Sequence, residues 1–129
     1  MSPMKQDIQL LKMTVLTIKG IIPGLNGKHG LIREHFRNAK KRKDLYRVLL
    51  SHQEYSKHPG KVTIRYIGYK SILADWDNFG ASFKHIGDAL VDLGIIVDDK
   101  PAIVTQFIPE QIKSKRVDQK VVIIIEDVE

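Results

Sequence analysis

A chain of 129 residues with 43% hydrophobic and 28% charged residues has the size and composition of one soluble globular domain. It contains no cysteine, which excludes disulfide scaffolds and thiolate metal sites, and its longest apolar run, Val121 to Ile125, is far too short to span a bilayer. The net charge of +6 favours polyanionic partners and is silent on fold.

The N-terminal residues Met1 to Asp7 lack the apolar run of a signal peptide, so a cytoplasmic protein is expected. Between Gln9 and Ile22, Met13, Val15, Leu16 and Ile18 with their β-branched neighbours predict a first strand. Ile21 to Gly27, with Pro-Gly and Asn-Gly, reads as a loop. Leu31 to Ser51 reads as a helix with Leu31, Phe36, Leu45, Val48 and Leu49 as its apolar stripe. His58-Pro59-Gly60 breaks the chain. Lys61 to Tyr69 then alternates, with Val62, Ile64 and Tyr66 opposite Lys61, Thr63 and Arg65, which predicts a strand with one buried and one basic face.

Asn78 to Leu93 reads as a second helix. Phe79, Phe83, Ile86, Leu90 and Leu93 form one stripe, Asp77 or Asn78 suits the N-cap, and Gly94 suits the C-terminal turn. Ala102 to Ile108 and Gln119 to Ile125 read as two closing strands. The segment Pro109 to Asp118 would be a basic hairpin tip carrying Lys113, Lys115 and Arg116. The order β-α-β-α-β-β predicts an α+β, two-layer sandwich: one mixed β-sheet with two helices on it, forming a single domain over residues 1–129. The very apolar last strand is expected to be central or covered on both faces.

Charge is unevenly spread. Residues 28–65 hold eleven bases and three acids, whereas residues 71–99 hold six acids and the single base Lys84. Taken singly, the acids have plain structural roles. Asp75 can end a loop, Asp77 can cap the helix, Asp98 and Asp99 can form a solvated turn. Lys84 and Asp88 can form an i,i+4 pair of about 0.2–0.5 kcal/mol. Taken together, acids beside a basic surface suit a protein that draws in a polyanion and holds a divalent cation against it. Mg²⁺ takes oxygen ligands, often one or two carboxylates plus substrate phosphate. Asp75 and Asp77, two apart in extended chain, project to the same side.

The order of these residues carries a resemblance. Asp75-Trp76-Asp77-Asn78, then Lys84 with Asp88 four residues on, then Gly94 and Asp98-Asp99, is similar to the signature of the RusA family of Holliday junction resolvases. Pro23-Gly24-Leu25-Asn26 is similar to that family's loop after its first strand. The family's lysine stands three residues after the motif asparagine, where this chain has Ala81; Lys84 lies three residues further on. The resemblance implies a homodimeric endonuclease, of bacterial, phage or prophage origin, that cuts branched DNA with Mg²⁺ or Mn²⁺. It implies Asp75, Asp77 and Asp99 as metal ligands, Lys84 at the scissile phosphate, and Asn78, Asp88 and Asp98 in support. Lys40, Lys41, Arg42, Lys43, Lys61, Arg65, Lys113, Lys115 and Arg116 are the candidate backbone contacts on DNA.

No P-loop, dinucleotide-binding motif or Ser-His-Asp pattern is evident, so no organic cofactor is expected. The five histidines form no zinc pattern. Trp76 is expected to be buried beneath the acidic turn, with base stacking as the alternative. The competing classes are a non-catalytic nucleic-acid-binding protein on the same fold and a metal-stabilised phage assembly protein.

Overall fold

The computed structural model describes residues 11–20 and 36–129. The strands are β1 (Met13–Lys19), β2 (Val62–Lys70), β3 (Val104–Lys113) and β4 (Lys120–Asp127), and the helices are α1 (Phe36–Ser51), α2 (Trp76–Ala81) and α3 (Lys84–Asp92). This is the expected α+β order, with the second helix divided into α2 and α3. The loop expected at Ile21–Gly27 and the stripe residue Leu31 lie outside the described residues, as does the side chain of Phe36.

The four strands form one mixed sheet in the order β1-β4-β2-β3. β4 is antiparallel to both β1 and β2, and β3 is parallel to β2. The last two strands therefore do not form the expected hairpin. β4 inserts at the centre, where its buried Val121, Ile123 and Ile125 and half-buried Val122 and Ile124 have neighbours on both sides. β3 continues through Pro109 to Lys113 rather than ending at Ile108. A proline lacks an amide hydrogen, and only an edge strand with a free side accommodates it. Lys115 and Arg116 consequently lie on a crossover loop between non-adjacent strands, with a short 3₁₀ turn at Arg116–Asp118.

The helices pack on one face of the sheet. Leu16, Ile18, Val62, Ile64, Tyr66, Ile123 and Ile125 meet Tyr46, Leu50, Phe79, Ile86 and Leu90 in a single core. Each such side chain contributes about 1.5–3 kcal/mol on burial. The α2–α3 stripe is as expected. The α1 stripe is not: Tyr46 and Leu50 are buried, while Leu45, Val48 and Leu49 are exposed. Their one-residue offset rotates the helix so that Lys43 and Arg47 reach Asp92 on α3, at 3.6 and 3.8 Å.

The break between α2 and α3 has a local cause. The Ser82 hydroxyl donates to the Phe79 carbonyl, and the Tyr66 hydroxyl lies 2.7 Å from Ser82 Oγ. A serine that bonds its own backbone competes with helix continuation, and Gly80 is a weak helix former. Tyr66 is also stacked on Phe79 at 4.7 Å and meets Phe83 edge-on at 5.0 Å. Gly94 ends the helical region with φ +73°, a conformation that glycine adopts without strain.

Candidate functional site

The candidate residues surround the short helix α2, which the β2–α2 connection and the turn at Ser82 hold against the sheet. Two glutamine amides fix that connection. Gln111 on β3 donates to the Ala74 carbonyl and accepts from the Ala74 N–H, both at 2.8 Å, as a paired strand would. Gln119, just before β4, accepts from the Ser71 N–H and hydroxyl at 3.1 Å. Asp75 follows directly and occupies the N-cap position of α2, with no side-chain cap hydrogen bond. The cap is thus Asp75, earlier in the chain than the expected Asp77 or Asn78. Asp77 sits exposed in the first turn.

Two depressions flank α2. The first, a cleft of about 690 Å³, is lined by Lys70, Ser71, Asp75, Asn78, Arg116 and Gln119, among others. Lys70 ends β2, where its Nζ lies 5.5 Å from the centre of the Phe79 ring. Burial pulls its pKa below the ordinary lysine value. Lys113 is its register partner on β3, so the cleft end of the sheet is basic.

The second depression is a groove of about 260 Å³ lined by Lys84, Asp88 and Asp99, with Gly80, Ala81 and the apolar Phe83 and Phe107. Here the three-residue displacement of Lys84 has a structural answer. Lys84 opens α3 after the Ser82 turn and shares a groove with Asp88 and Asp99. Partial burial, the Asp98 carboxyl and the nearby charge of Asp88 push the Asp99 carboxyl up. The Asp99 N–H donates to Asp98 Oδ1 at 2.7 Å, and Asp98 is held below the usual carboxylate range by that bond and by Lys100, whose Nζ is 3.6 Å away.

Asp75 therefore lines one depression and Asp99 the other, while Asp77 lines neither. No three His, Asp or Glu side chains converge on a metal-sized point among the described residues. The trio Asp75, Asp77 and Asp99 is thus not assembled as one ligand set by a single copy of the chain. Asp88 and Asp99 share the groove, where the charge of Asp88 is one of the causes that push the Asp99 carboxyl up.

Trp76 is 57% exposed and meets Phe79 edge-on, so it is not the buried support expected of it. Its aromatic neighbour Phe79 fills the core position instead.

The basic residues fall in three places. Lys40 and Lys41 are exposed on α1, and Lys43 is 3.6 Å from Asp92 on α3. Arg42, on the same helix, has an interaction partner. Lys61 is exposed at the start of β2, while the Arg65 guanidinium donates to both Glu110 oxygens, at 3.1 and 2.9 Å. That ion pair takes Arg65 out of the set of free cations expected from the strand's alternation. Lys113, Lys115 and Arg116 are exposed, and Arg116 lines the first cleft.

One polar cluster is invisible in the linear sequence. His58, 1% exposed, has Nδ1 at 2.6 Å from Asp127 Oδ1 and Nε2 at 2.8 Å from Thr14 Oγ1. Asp127 also accepts from the Lys12 N–H. Burial alone would raise the Asp127 carboxyl, but these two hydrogen bonds outweigh it and hold the group below its usual range. His58-Pro59-Gly60 looks like a turn in sequence, and only the fold brings residues 14, 58 and 127 together.

No helix among the described residues is long and apolar enough to cross a membrane. No protein-family model matches the chain, and no curated protein does.

Proposed function

We propose that this chain is a Mg²⁺- or Mn²⁺-dependent endonuclease that acts as a homodimer on branched DNA such as four-way Holliday junctions, in the cytoplasm of a bacterium, with a phage or prophage source. The observation that carries the reading is the groove in which Lys84 stands with Asp88 and Asp99, beside a cleft that combines Asp75 with Lys70 and Arg116. A lysine among acids in the groove by the first residues of β2 and β3, with the cations Lys70 and Arg116 beyond α2 at the last residues of β2 and after β3, suits a phosphodiester that must be both attracted and cut. A bound divalent cation would supply an activated water and neutralise charge on the phosphate. Asp88 and Asp99 would hold it in this groove, Lys84 would meet the developing negative charge, and Asp75 and Asp77 would stand across α2. Exposed Trp76 offers a ring on which an unpaired base of a branched substrate can stack.

The separation of Asp75 from Asp99 favours a second reading, a non-catalytic nucleic-acid-binding protein on the same fold. One experiment tests both: cleavage of a synthetic four-way junction and of linear duplex, with Mg²⁺ or Mn²⁺, by the wild type and by Asp75→Asn, Asp77→Asn, Asp88→Asn and Asp99→Asn. The nuclease reading requires junction cleavage that Asp99→Asn abolishes while junction binding persists. Binding without cleavage under every metal condition establishes the second reading. Loss in Asp75→Asn and Asp77→Asn would show that both sides of α2 contribute to one centre.

A further inference from the structure

A third cavity lies at the end of the sheet where β1 closes and β4 opens. Lys19 is the last residue of β1, Lys120 the first of β4, and Tyr69 stands one residue from the end of β2. Strand register sets the three side by side in that order, and residues paired directly across strands present their side chains on one face. The turn after β3 brings Arg116 to the same place. Together these side chains line a cavity of about 430 Å³ that has Asp118 in its wall and shares Arg116 and Gln119 with the cleft of Lys70 and Asp75.

Two observations mark this cavity as an anion site. Lysines in direct cross-strand register repel each other, which costs stability while nothing negative lies between them. Among the described residues, Lys19, Lys120 and Arg116 form no ion pair, and Asp118 is the one acid in the lining. The cations are also held in place. Lys120 Nζ lies 5.0 Å from the centre of the Tyr69 ring, a contact that positions an ammonium without neutralising it. The Gln119 amide donates to the Arg116 carbonyl at 3.1 Å while its oxygen accepts from the Ser71 N–H, so the turn carrying Arg116 is tied to the end of β2.

We infer that this cavity binds a terminal phosphate group. Among the described residues its lining sets three cations against one acid. The surplus suits a terminal phosphate, which carries about −1.5 to −2 at neutral pH, better than the single charge of a backbone phosphodiester. The volume lies within the roughly 300–1,000 Å³ of small-ligand sites. Two sources carry such a group: the 5′ end of a nucleic-acid strand, and a free phosphate compound. Neither binding mode calls on the Lys84, Asp88 and Asp99 groove or on a metal, so the inference does not depend on the nuclease chemistry.

The test is calorimetric titration of the full chain with pyrophosphate in metal-free buffer at low salt, with circular dichroism to show that each variant is folded. The wild type should bind saturably, at one site per chain. Lys19→Ala, Lys120→Ala and Arg116→Ala should each weaken binding by about tenfold, the loss of one charge-assisted contact. Lys19→Arg should keep it, and Lys12→Ala, exposed before the other end of β1, should leave it unchanged. No saturable binding by the wild type overturns the inference. So does undiminished binding in all three alanine variants, or an equal loss in Lys12→Ala. A thymidine dinucleotide with and without a 5′-phosphate then identifies the source. Binding at least tenfold tighter with the 5′-phosphate assigns the site to a strand end. Pyrophosphate binding with neither dinucleotide bound assigns it to a free phosphate compound. Equal binding of the two dinucleotides shows that a backbone phosphodiester suffices and overturns the claim for a terminal phosphate. Because no metal or cleavage enters the readout, a chain that binds pyrophosphate but cuts nothing, or cuts without binding it, separates failure of the nuclease reading from failure of this one.

Discussion

Replacing His58 with alanine should be the most destabilising single change outside the apolar core. The imidazole makes two hydrogen bonds, a part-buried one to Asp127 at 2.6 Å and a buried one to Thr14 at 2.8 Å. The bond to the ionised carboxylate is worth about 1.5–3 kcal/mol, the neutral one about 1 kcal/mol, and the void left by the ring adds about 1 kcal/mol. The partners are not left bare, since Asp127 keeps the Lys12 N–H at 2.9 Å and Thr14 Oγ1 keeps the Ser56 N–H at 3.0 Å. A net loss of about 3–4 kcal/mol follows, a large share of the roughly 5–15 kcal/mol typical of a domain. With a urea slope of about 1.5–2 kcal/mol/M the unfolding midpoint should fall by about 2 M, at unchanged slope. The wild type should also lose stability in acid through this cluster. The folded Asp127 carboxyl is depressed, so its contribution is complete above the unfolded value near 3.9 and disappears as pH falls through the folded one. Asp127→Asn should flatten that part of the pH profile. A loss under about 1 kcal/mol for His58→Ala, with the acid dependence intact in Asp127→Asn, would refute the claim that this cluster ties β1 and β4 to the turn before β2.

Gly68→Ala should destabilise by about 1–3 kcal/mol in the same urea assay, because a Cβ there would lie 2.5 Å from Phe79 Cε1 and the ring is held by its stacking on Tyr66. Asp99→Asn should raise stability at neutral pH, as a thermal melt would show. A carboxyl whose folded pKa is raised opposes folding once pH passes its unfolded value, and the amide removes that cost. Junction affinity should fall steeply with salt. Alanine at Lys113, Lys115 or Arg116 should flatten the log–log slope by about one for every phosphate no longer neutralised, whereas Arg65→Ala, whose cation is already paired with Glu110, should leave the slope unchanged.

Local patterns were enough for much of the fold. The alternation at Val62, Ile64 and Tyr66 and the Phe79, Ile86, Leu90 stripe are direct consequences of strand and helix periods, and both face the core as read. Gly94 ends the helical region because the left-handed turn there demands it. The run at Val121–Ile125 marked a strand enclosed by others. Sequence also picked out Lys84, Asp88 and Asp99, which share a groove because helix and turn geometry carry them to one place. Strand partners were beyond it. Whether β3 turns back on β4 or docks on β2 depends on which edge is free once the sheet forms, and Pro109 was the only local hint. The rotation of α1 was decided by what it packs against, which is why Tyr46 rather than Leu45 is buried. The division of the acids between two depressions follows from the hydrogen bond of Ser82 to Phe79 and Tyr66, and the His58 cluster joins residues 14, 58 and 127. A periodic pattern reports which face of an element is apolar. Contacts between residues far apart in the chain exist only after those faces have chosen their neighbours.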